Sequence, residues 1–118
     1  MCVEGLEKML PIILKFRRER DWAKFHRPKD LAAAISVESS ELLELFLWRE
    51  MEEAGEVRED DELMISIREE VADILIYLLY LSHDLNIDLR EAVMDKVVKN
   101  AEKYPQDDYF GRFHGVAL

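Results

Sequence analysis

Two pairs of acidic residues occupy positions from which their side chains could bind a cation. Glu38 and Glu41 are three positions apart, and so are Glu70 and Asp73. Residues three apart on a helix project from one face, so each pair would present two carboxylates together. Both pairs adjoin apolar residues, where carboxylates stay charged only if something compensates them. An all-oxygen ligand set without thiol or imidazole favours Mg²⁺, with Mn²⁺ as a substitute.

Solvated helix faces are the alternative explanation of these two pairs, because acidic residues usually face water. Glu44 lies one turn beyond Glu41 and would be a further ligand or a general base. Spacing alone therefore leaves open both a metal site and two solvent-facing acidic stripes.

The first two of four predicted helices lie in the amino-terminal half. The first helix is predicted from Leu6 to Arg20, with Pro11 in its first turn or at a kink, and a loop then leads to Pro28. The second helix is predicted from about Lys29 to Glu53, with Gly55 as its stop.

The third and fourth helices follow an acidic loop that is predicted from Glu56 to Asp61. Asp60 or Asp61 can cap a third helix that runs to about Leu85. Asp88, followed three positions later by Glu91, resembles a capping box that opens a fourth helix ending before Pro105. The pattern predicts an all-α four-helix bundle over residues 1–105 and an irregular C-terminal tail over 106–118.

The middle of the third helix, Ile74 to Leu81, is apolar nearly all round. A helix that is apolar on every face needs neighbours on every face, and four short helices would leave part of it wet. We therefore expect an obligate homo-oligomer, a dimer or a dimer of dimers, in which a neighbouring subunit completes the site.

The composition excludes several classes of partner. The 118 residues carry a formal net charge of −10, which disfavours a nucleic-acid polymer, whereas a small anion could bind beside a divalent cation. Cys2 cannot form an intramolecular disulfide, and Glu4 and Glu7 stand where a signal peptide would have basic residues. The apolar run from Ile74 to Leu81 is too short to span a membrane. A cytoplasmic protein without membrane contact is expected.

The wider sequence resembles the MazG-like all-α nucleotide pyrophosphohydrolases, in particular their dCTP pyrophosphatase branch. Five segments carry this resemblance: Glu38-x-x-Glu41 with Glu70-x-x-Asp73, Arg20-Asp21-Trp22-x-x-Phe25-His26-x-Pro28, Glu44-Leu45-Phe46-x-Trp48, Asp73-Ile74-Leu75-Ile76-Tyr77-Leu78, and Lys96-x-x-x-Asn100-x-x-Lys103-Tyr104-Pro105. The resemblance implies cleavage of nucleoside triphosphates into monophosphate and pyrophosphate, a house-cleaning reaction of the nucleotide pool. It also implies Mg²⁺ on Glu38, Glu41, Glu70 and Asp73, with Glu41 or Glu44 orienting the water.

The resemblance further implies a set of residues that bind the nucleotide. Lys96, Asn100 and Lys103 share one helical face and would meet the β and γ phosphates; their alternative is a solvated basic face. Trp22 and Trp48 match positions that stack on or enclose the base, although a helical tryptophan such as Trp48 often packs in a core.

The remaining matched positions concern the nucleoside. His26 shares the loop of Trp22, and Tyr77 matches a position near the sugar, with ordinary core packing as its alternative. Ile13 stands where vertebrate-type dCTP enzymes have a histidine that meets the base, so dATP or modified deoxycytidine triphosphates are expected beside dCTP.

Three other classes of protein share part of this pattern. A di-iron bundle requires Glu-x-x-His pairs, and none of the three histidines has a glutamate three positions before it. A non-enzymatic helical oligomerisation module would explain the apolar third helix but would show no Mg²⁺-dependent turnover. A related dUTP or phosphoribosyl-ATP pyrophosphohydrolase would share the acidic pattern, whereas the tryptophan-containing motifs favour the dCTP branch.

Overall fold

A computed structural model describes residues 4–51 and 53–112, and all regular secondary structure in these ranges is helical. Six α-helices occur there: α1 (Glu4–Glu19), α2 (Pro28–Glu44), α3 (Ala54–Arg58), α4 (Asp61–Asp84), α5 (Leu89–Lys103) and α6 (Gln106–Tyr109). The predicted all-α class is confirmed for the described residues, and the four predicted helices correspond to α1, α2, α4 and α5. No helix among them has the length and apolarity that a membrane span requires.

Aspartate caps fix the starts of α4 and α5, as the sequence predicts. The Asp60 carboxylate accepts a hydrogen bond from the Leu63 N–H at 3.0 Å, and the Asp88 carboxylate accepts one from the Glu91 N–H at 3.0 Å. Each bond satisfies a donor that has no partner within its own helix. The predicted ends of α4 and α5 also agree with the structure to within about two residues.

The predicted extension of the second helix to Glu53 is wrong, because α2 ends at Glu44. The chain then turns through residues 45–48, and Trp48 adopts a left-handed backbone with φ +67°. Arg49 stabilises this turn, since its Nε–H donates to the Leu45 carbonyl at 2.6 Å. Left-handed backbone after a helix usually falls on glycine, so the sequence carries no visible stop at this point.

The structure also bears on four smaller expectations. Gly55 lies inside α3 and does not end a helix, and Glu56 belongs to α3, so the acidic run is only partly a loop. Pro11 lies well inside α1 and not in its first turn, and it removes the N–H that would bond to the Glu7 carbonyl; the kink stays a prediction. A short helix, α6, opens the tail that was predicted to be irregular.

The helices divide into two compact units, one extending to Leu85 and the other beginning at Asn86. In the first unit α4 packs mainly along α2, with further contacts to α1 and α3. Among the described residues, the buried apolar side chains are Leu31, Leu63, Leu79 and Tyr80. The second unit holds α5 and α6. The predicted boundary at residue 105 and the homo-oligomeric state stay predictions, and residues 113–118 of the tail lie outside the described residues.

Candidate functional site

Three carboxylates meet where α2 packs against α4. Glu38, Glu41 and Glu70 each place one carboxylate oxygen within 4.8 Å of the other two, and we call them the acidic cluster. Glu38 and Glu41 share one face of α2, while Glu70 projects from α4. In addition, Oε2 of Glu38 and Oε2 of Glu70 are buried without a hydrogen-bond partner. Buried acceptors without donors are costly, and a hard cation is one ligand that would satisfy them.

The neighbouring acids and burial together raise the pKa of Glu38 in the acidic cluster. The pKa of Glu38 is raised from 4.5 to about 7, first by the hydrogen bond that it shares with Glu70, then by burial and by Glu41. A raised pKa of a carboxyl group beside two other acids marks a site at which positive charge would be stabilising. The residues therefore fit a divalent cation, which would replace the proton of Glu38.

This raised pKa predicts the pH dependence of stability for the metal-free protein. Folding raises the pKa of Glu38, so the folded state binds the proton more tightly than the unfolded state does. The resulting stabilisation is complete below about pH 4.5 and is lost as the pH rises through about 7. Urea unfolding in EDTA should show a free energy of unfolding that falls across this window. Glu38→Gln should flatten the curve, and an unchanged slope in that variant would contradict the prediction.

Two further acids that the sequence singles out lie near the acidic cluster without joining it. Asp73 follows Glu70 by one turn of α4 and is exposed, and Glu44 is the exposed last residue of α2. Among the described residues, neither belongs to the group of mutually close carboxylates. Asp73 is nevertheless close enough to affect the neighbouring Tyr77. The pKa of Tyr77 is raised by burial and by the charges of Glu38 and Asp73.

His26 lies between two tyrosines of α4. Its ring centroid is 6.2 Å from that of Tyr77, at 84°, and 5.3 Å from that of Tyr80, at 33°. Its Nδ1 atom is buried without a hydrogen-bond partner. Burial and the nearby Arg17 charge lower the pKa of His26, so its imidazole is neutral at neutral pH. Tyr77 is half-buried and contacts this loop residue, and its place near the sugar stays a prediction.

The two tryptophans have different surroundings. The Trp22 ring meets Phe16 edge-on at 5.7 Å, and the Arg20 guanidinium lies 3.7 Å from the Phe16 ring centroid. This stack leaves 43% of Trp22 exposed. Trp48 is 99% exposed, so core packing, its alternative interpretation, is wrong. Left-handed backbone is costly for a residue other than glycine, and burial of the Trp48 indole against the described residues does not offset that cost.

Lys96, Asn100 and Lys103 belong to the second unit and share a face of α5, as their spacing predicts. Asn100 is half-buried, whereas both lysines are exposed. The Lys103 ammonium lies 5.3 Å from the centroid of the Tyr104 ring, and the Tyr104 N–H donates to the Asn100 carbonyl at 2.8 Å. Both contacts hold the last turn of α5 in place.

One ion pair of the first unit was missed by sequence reasoning. The Arg17 guanidinium donates two hydrogen bonds to the Asp84 carboxylate, at 2.9 and 2.8 Å. Arg17 also lies over the Tyr80 ring at 4.5 Å, and the Tyr80 hydroxyl donates to the Ile13 carbonyl at 2.6 Å. Arg17 and Asp84 are 67 positions apart, so no local spacing points to them.

Comparisons with known proteins identify a family and a similar fold for this chain. The model of the MazG-like family matches residues 33–112. The chain is 39% identical over 100 residues to dCTP pyrophosphatase 1 of Bos taurus and 37% identical to that of Homo sapiens, with 85% of the chain covered. It spans 59% of the length of these relatives. A crystal structure of a pyrophosphatase from Archaeoglobus fulgidus is 42% identical, with a TM-score of 0.72 over 86% of this chain and 93% of that one.

Proposed function

The chain belongs to the MazG-like family, and we propose that it hydrolyses nucleoside triphosphates to the monophosphate and pyrophosphate in a Mg²⁺-dependent reaction. The observation that carries this proposal is the acidic cluster, in which two buried carboxylate oxygens have no donor. The names of the similar proteins, dCTP pyrophosphatase 1 and an archaeal pyrophosphatase, support the same reaction.

The acids divide into ligands and a base in this proposal. Glu38, Glu41 and Glu70 would hold Mg²⁺, and Asp73, one turn from Glu70, would join them as the substrate enters. Bound Mg²⁺ supplies neutralisation of the phosphate charge and activation of water. Glu41 or Glu44 orients the water and accepts its proton. Water then forms a bond to the α-phosphorus, the bond to the α,β-bridging oxygen breaks, and pyrophosphate leaves.

The nucleoside end of the substrate would be bound by aromatic side chains. Trp22 and Trp48 are large, exposed rings that can stack on a base. Tyr77 would pack against the sugar, where a missing 2′-hydroxyl favours deoxyribose, and His26 would line the same wall. We propose dCTP and modified deoxycytidine triphosphates as preferred substrates, with dATP also accepted because Ile13 is apolar.

The polyphosphate end requires positive charge in a chain of net charge −10. Lys96 and Lys103 are exposed cations on one face of α5, and the Asn100 amide lies between them. We propose that these three side chains meet the β and γ phosphates, where charge-assisted hydrogen bonds are strong.

A homo-oligomer, a dimer or a dimer of dimers, is proposed from the apolar residues that the protomer exposes. Val93, Met94, Val97 and Val98 are all more than half exposed on α5. Contiguous apolar surface of this kind marks an interface between proteins. A neighbouring subunit that covers it would also enclose a nucleotide for which one short chain offers few walls.

A panel of nucleoside triphosphates tests the proposed function. Canonical and modified deoxynucleotides are incubated with the protein and Mg²⁺, and pyrophosphate release is measured for each. We expect the highest kcat/KM for dCTP-like substrates and no release in EDTA. Preference for dUTP or phosphoribosyl-ATP would assign the chain to another branch, and no turnover of any nucleotide would favour the oligomerisation module.

A further inference from the structure

The Arg17–Asp84 pair is the most buried ion pair of the first unit, and the acidic chemistry does not use it. Arg17 is 7% exposed, although it lies in a segment of basic residues that otherwise face solvent. Both carboxylate oxygens of Asp84 are occupied by its guanidinium. Burying a charge is costly, and this pair joins α1 to the last turn of α4 at a defined register.

The same guanidinium reaches the nucleoside end of the proposed site through Tyr80. Arg17 lies on the Tyr80 ring at 4.5 Å, and Tyr80 in turn lies against His26 at 5.3 Å. The Tyr80 hydroxyl is fixed by the Ile13 carbonyl of α1. His26 belongs to residues 20–27, here called the His26 loop, which also carries Trp22.

We propose that Arg17, Asp84 and Tyr80 are positioning residues that fasten the His26 loop to α4 and thereby place Trp22 and His26 for the nucleoside part of the substrate. The inference rests on the proposed function for its substrate. Arg17 has no proposed role in the cleavage step, because it lies on α1 whereas the acidic cluster is formed by α2 and α4.

Two variants break the pair from opposite sides, Arg17→Met and Asp84→Asn. Each is expected to raise KM for dCTP about tenfold with kcat changed less than twofold, because the loop loses its position while the acids keep theirs. Inorganic tripolyphosphate, a competitor without a nucleoside, should keep its inhibition constant. The double variant Arg17→Met with Asp84→Asn leaves no isolated buried charge, so it tests the proposal if a single variant fails to fold.

A spectroscopic readout separates loop placement from a general loss of stability. Titration of the His26 imidazole by NMR should show its pKa rising toward the ordinary value in Asp84→Asn, because release of the loop exposes the ring. Arg17→Met raises this pKa whether or not the loop moves, because it removes a nearby positive charge, so Asp84→Asn is the deciding variant. The groups that act on this ring are Arg17, Asp84, Asp30, Tyr77 and Tyr80. If the ring stayed in place, loss of the Asp84 charge would lower the pKa of His26 further. A lowered pKa of His26 together with an unchanged KM for dCTP would overturn the proposal.

Arg27 provides the matched control. It forms an ion pair with Asp30 at 2.9 Å in the same part of the chain, but both partners are solvent-accessible. Arg27→Met should change neither KM nor the pKa of His26 by an amount comparable to Arg17→Met, and equal effects would overturn the proposal. The unaltered protein is assayed first: absence of turnover would refute the proposed function, whereas the His26 titration would still decide whether the pair fastens the loop.

Discussion

Replacing Glu38 with glutamine is expected to reduce kcat by about 1,000-fold, equivalent to ~4 kcal/mol of transition-state stabilisation. Glu38 belongs to the acidic cluster, where Glu70, burial and Glu41 raise its pKa to about 7, and one of its buried oxygens has no donor. Glutamine keeps the size of the side chain but removes the charge that would hold Mg²⁺. Its amide can donate to Glu70, so the metal-free variant should be at least as stable as the unaltered protein at pH 7.

The control for this prediction is Glu69→Gln, which removes the same charge from the exposed position beside Glu70. It should retain turnover within about twofold, because surface charges away from the substrate contribute little. Mg²⁺ titration by calorimetry, with kcat measured on the same preparations, should show weakened binding only in Glu38→Gln. Equal activity of the two variants would remove Glu38 from the proposed metal site.

Replacing Val97 with aspartate is expected to dissociate the proposed oligomer and to lower turnover by about 100-fold. Val97 is 56% exposed on α5, so a charge there disturbs little within the protomer. At a subunit interface the same carboxylate would be buried without a partner, which costs several kcal/mol. Activity should fall with assembly because a neighbouring subunit is proposed to complete the nucleotide site.

Lys99→Asp is the matched control for Val97→Asp. Residues two apart on a helix point to nearly opposite sides, so Lys99 faces away from the apolar side of α5. Sedimentation velocity and turnover should be measured on both variants at the same concentrations. The account expects a smaller species only for Val97→Asp. A monomeric unaltered protein with full activity would contradict the proposal of a shared site.

Local chemistry explains which parts of the fold could be predicted. Asp60 and Asp88 allow the starts of α4 and α5 to be predicted. An aspartate that precedes an amphipathic helix can accept a hydrogen bond from the first free N–H groups. The end of α2 could not be predicted, since Leu45 to Leu47 continue the helical pattern. The turn after α2 requires Trp48 to adopt a left-handed backbone, which is usual for glycine. It also depends on the hydrogen bond from the Arg49 side chain to the Leu45 carbonyl.

The candidate site also has residues that the sequence could indicate and residues that it could not. The MazG-like family could be identified from the motifs and is confirmed. Spacing left open whether the two acidic pairs meet, and the family motif favoured a site of four acids. Glu38, Glu41 and Glu70 come together where α2 packs on α4, whereas Asp73 does not join the group of mutually close carboxylates. Arg17 and Asp84 could not be predicted, because only the tertiary fold joins α1 to the end of α4. The Mg²⁺ ligands and nucleotide-binding residues stay proposals that the variants above test.

The products of dCTP turnover test the central claim most directly. The unaltered protein is incubated with dCTP and Mg²⁺, and ³¹P NMR distinguishes cleavage between the α and β phosphates from cleavage between the β and γ phosphates. The account predicts resonances of dCMP and pyrophosphate in equal amounts, and their formation about 1,000-fold more slowly with Glu38→Gln. Formation of dCDP and orthophosphate, or persistence of intact dCTP, would contradict it.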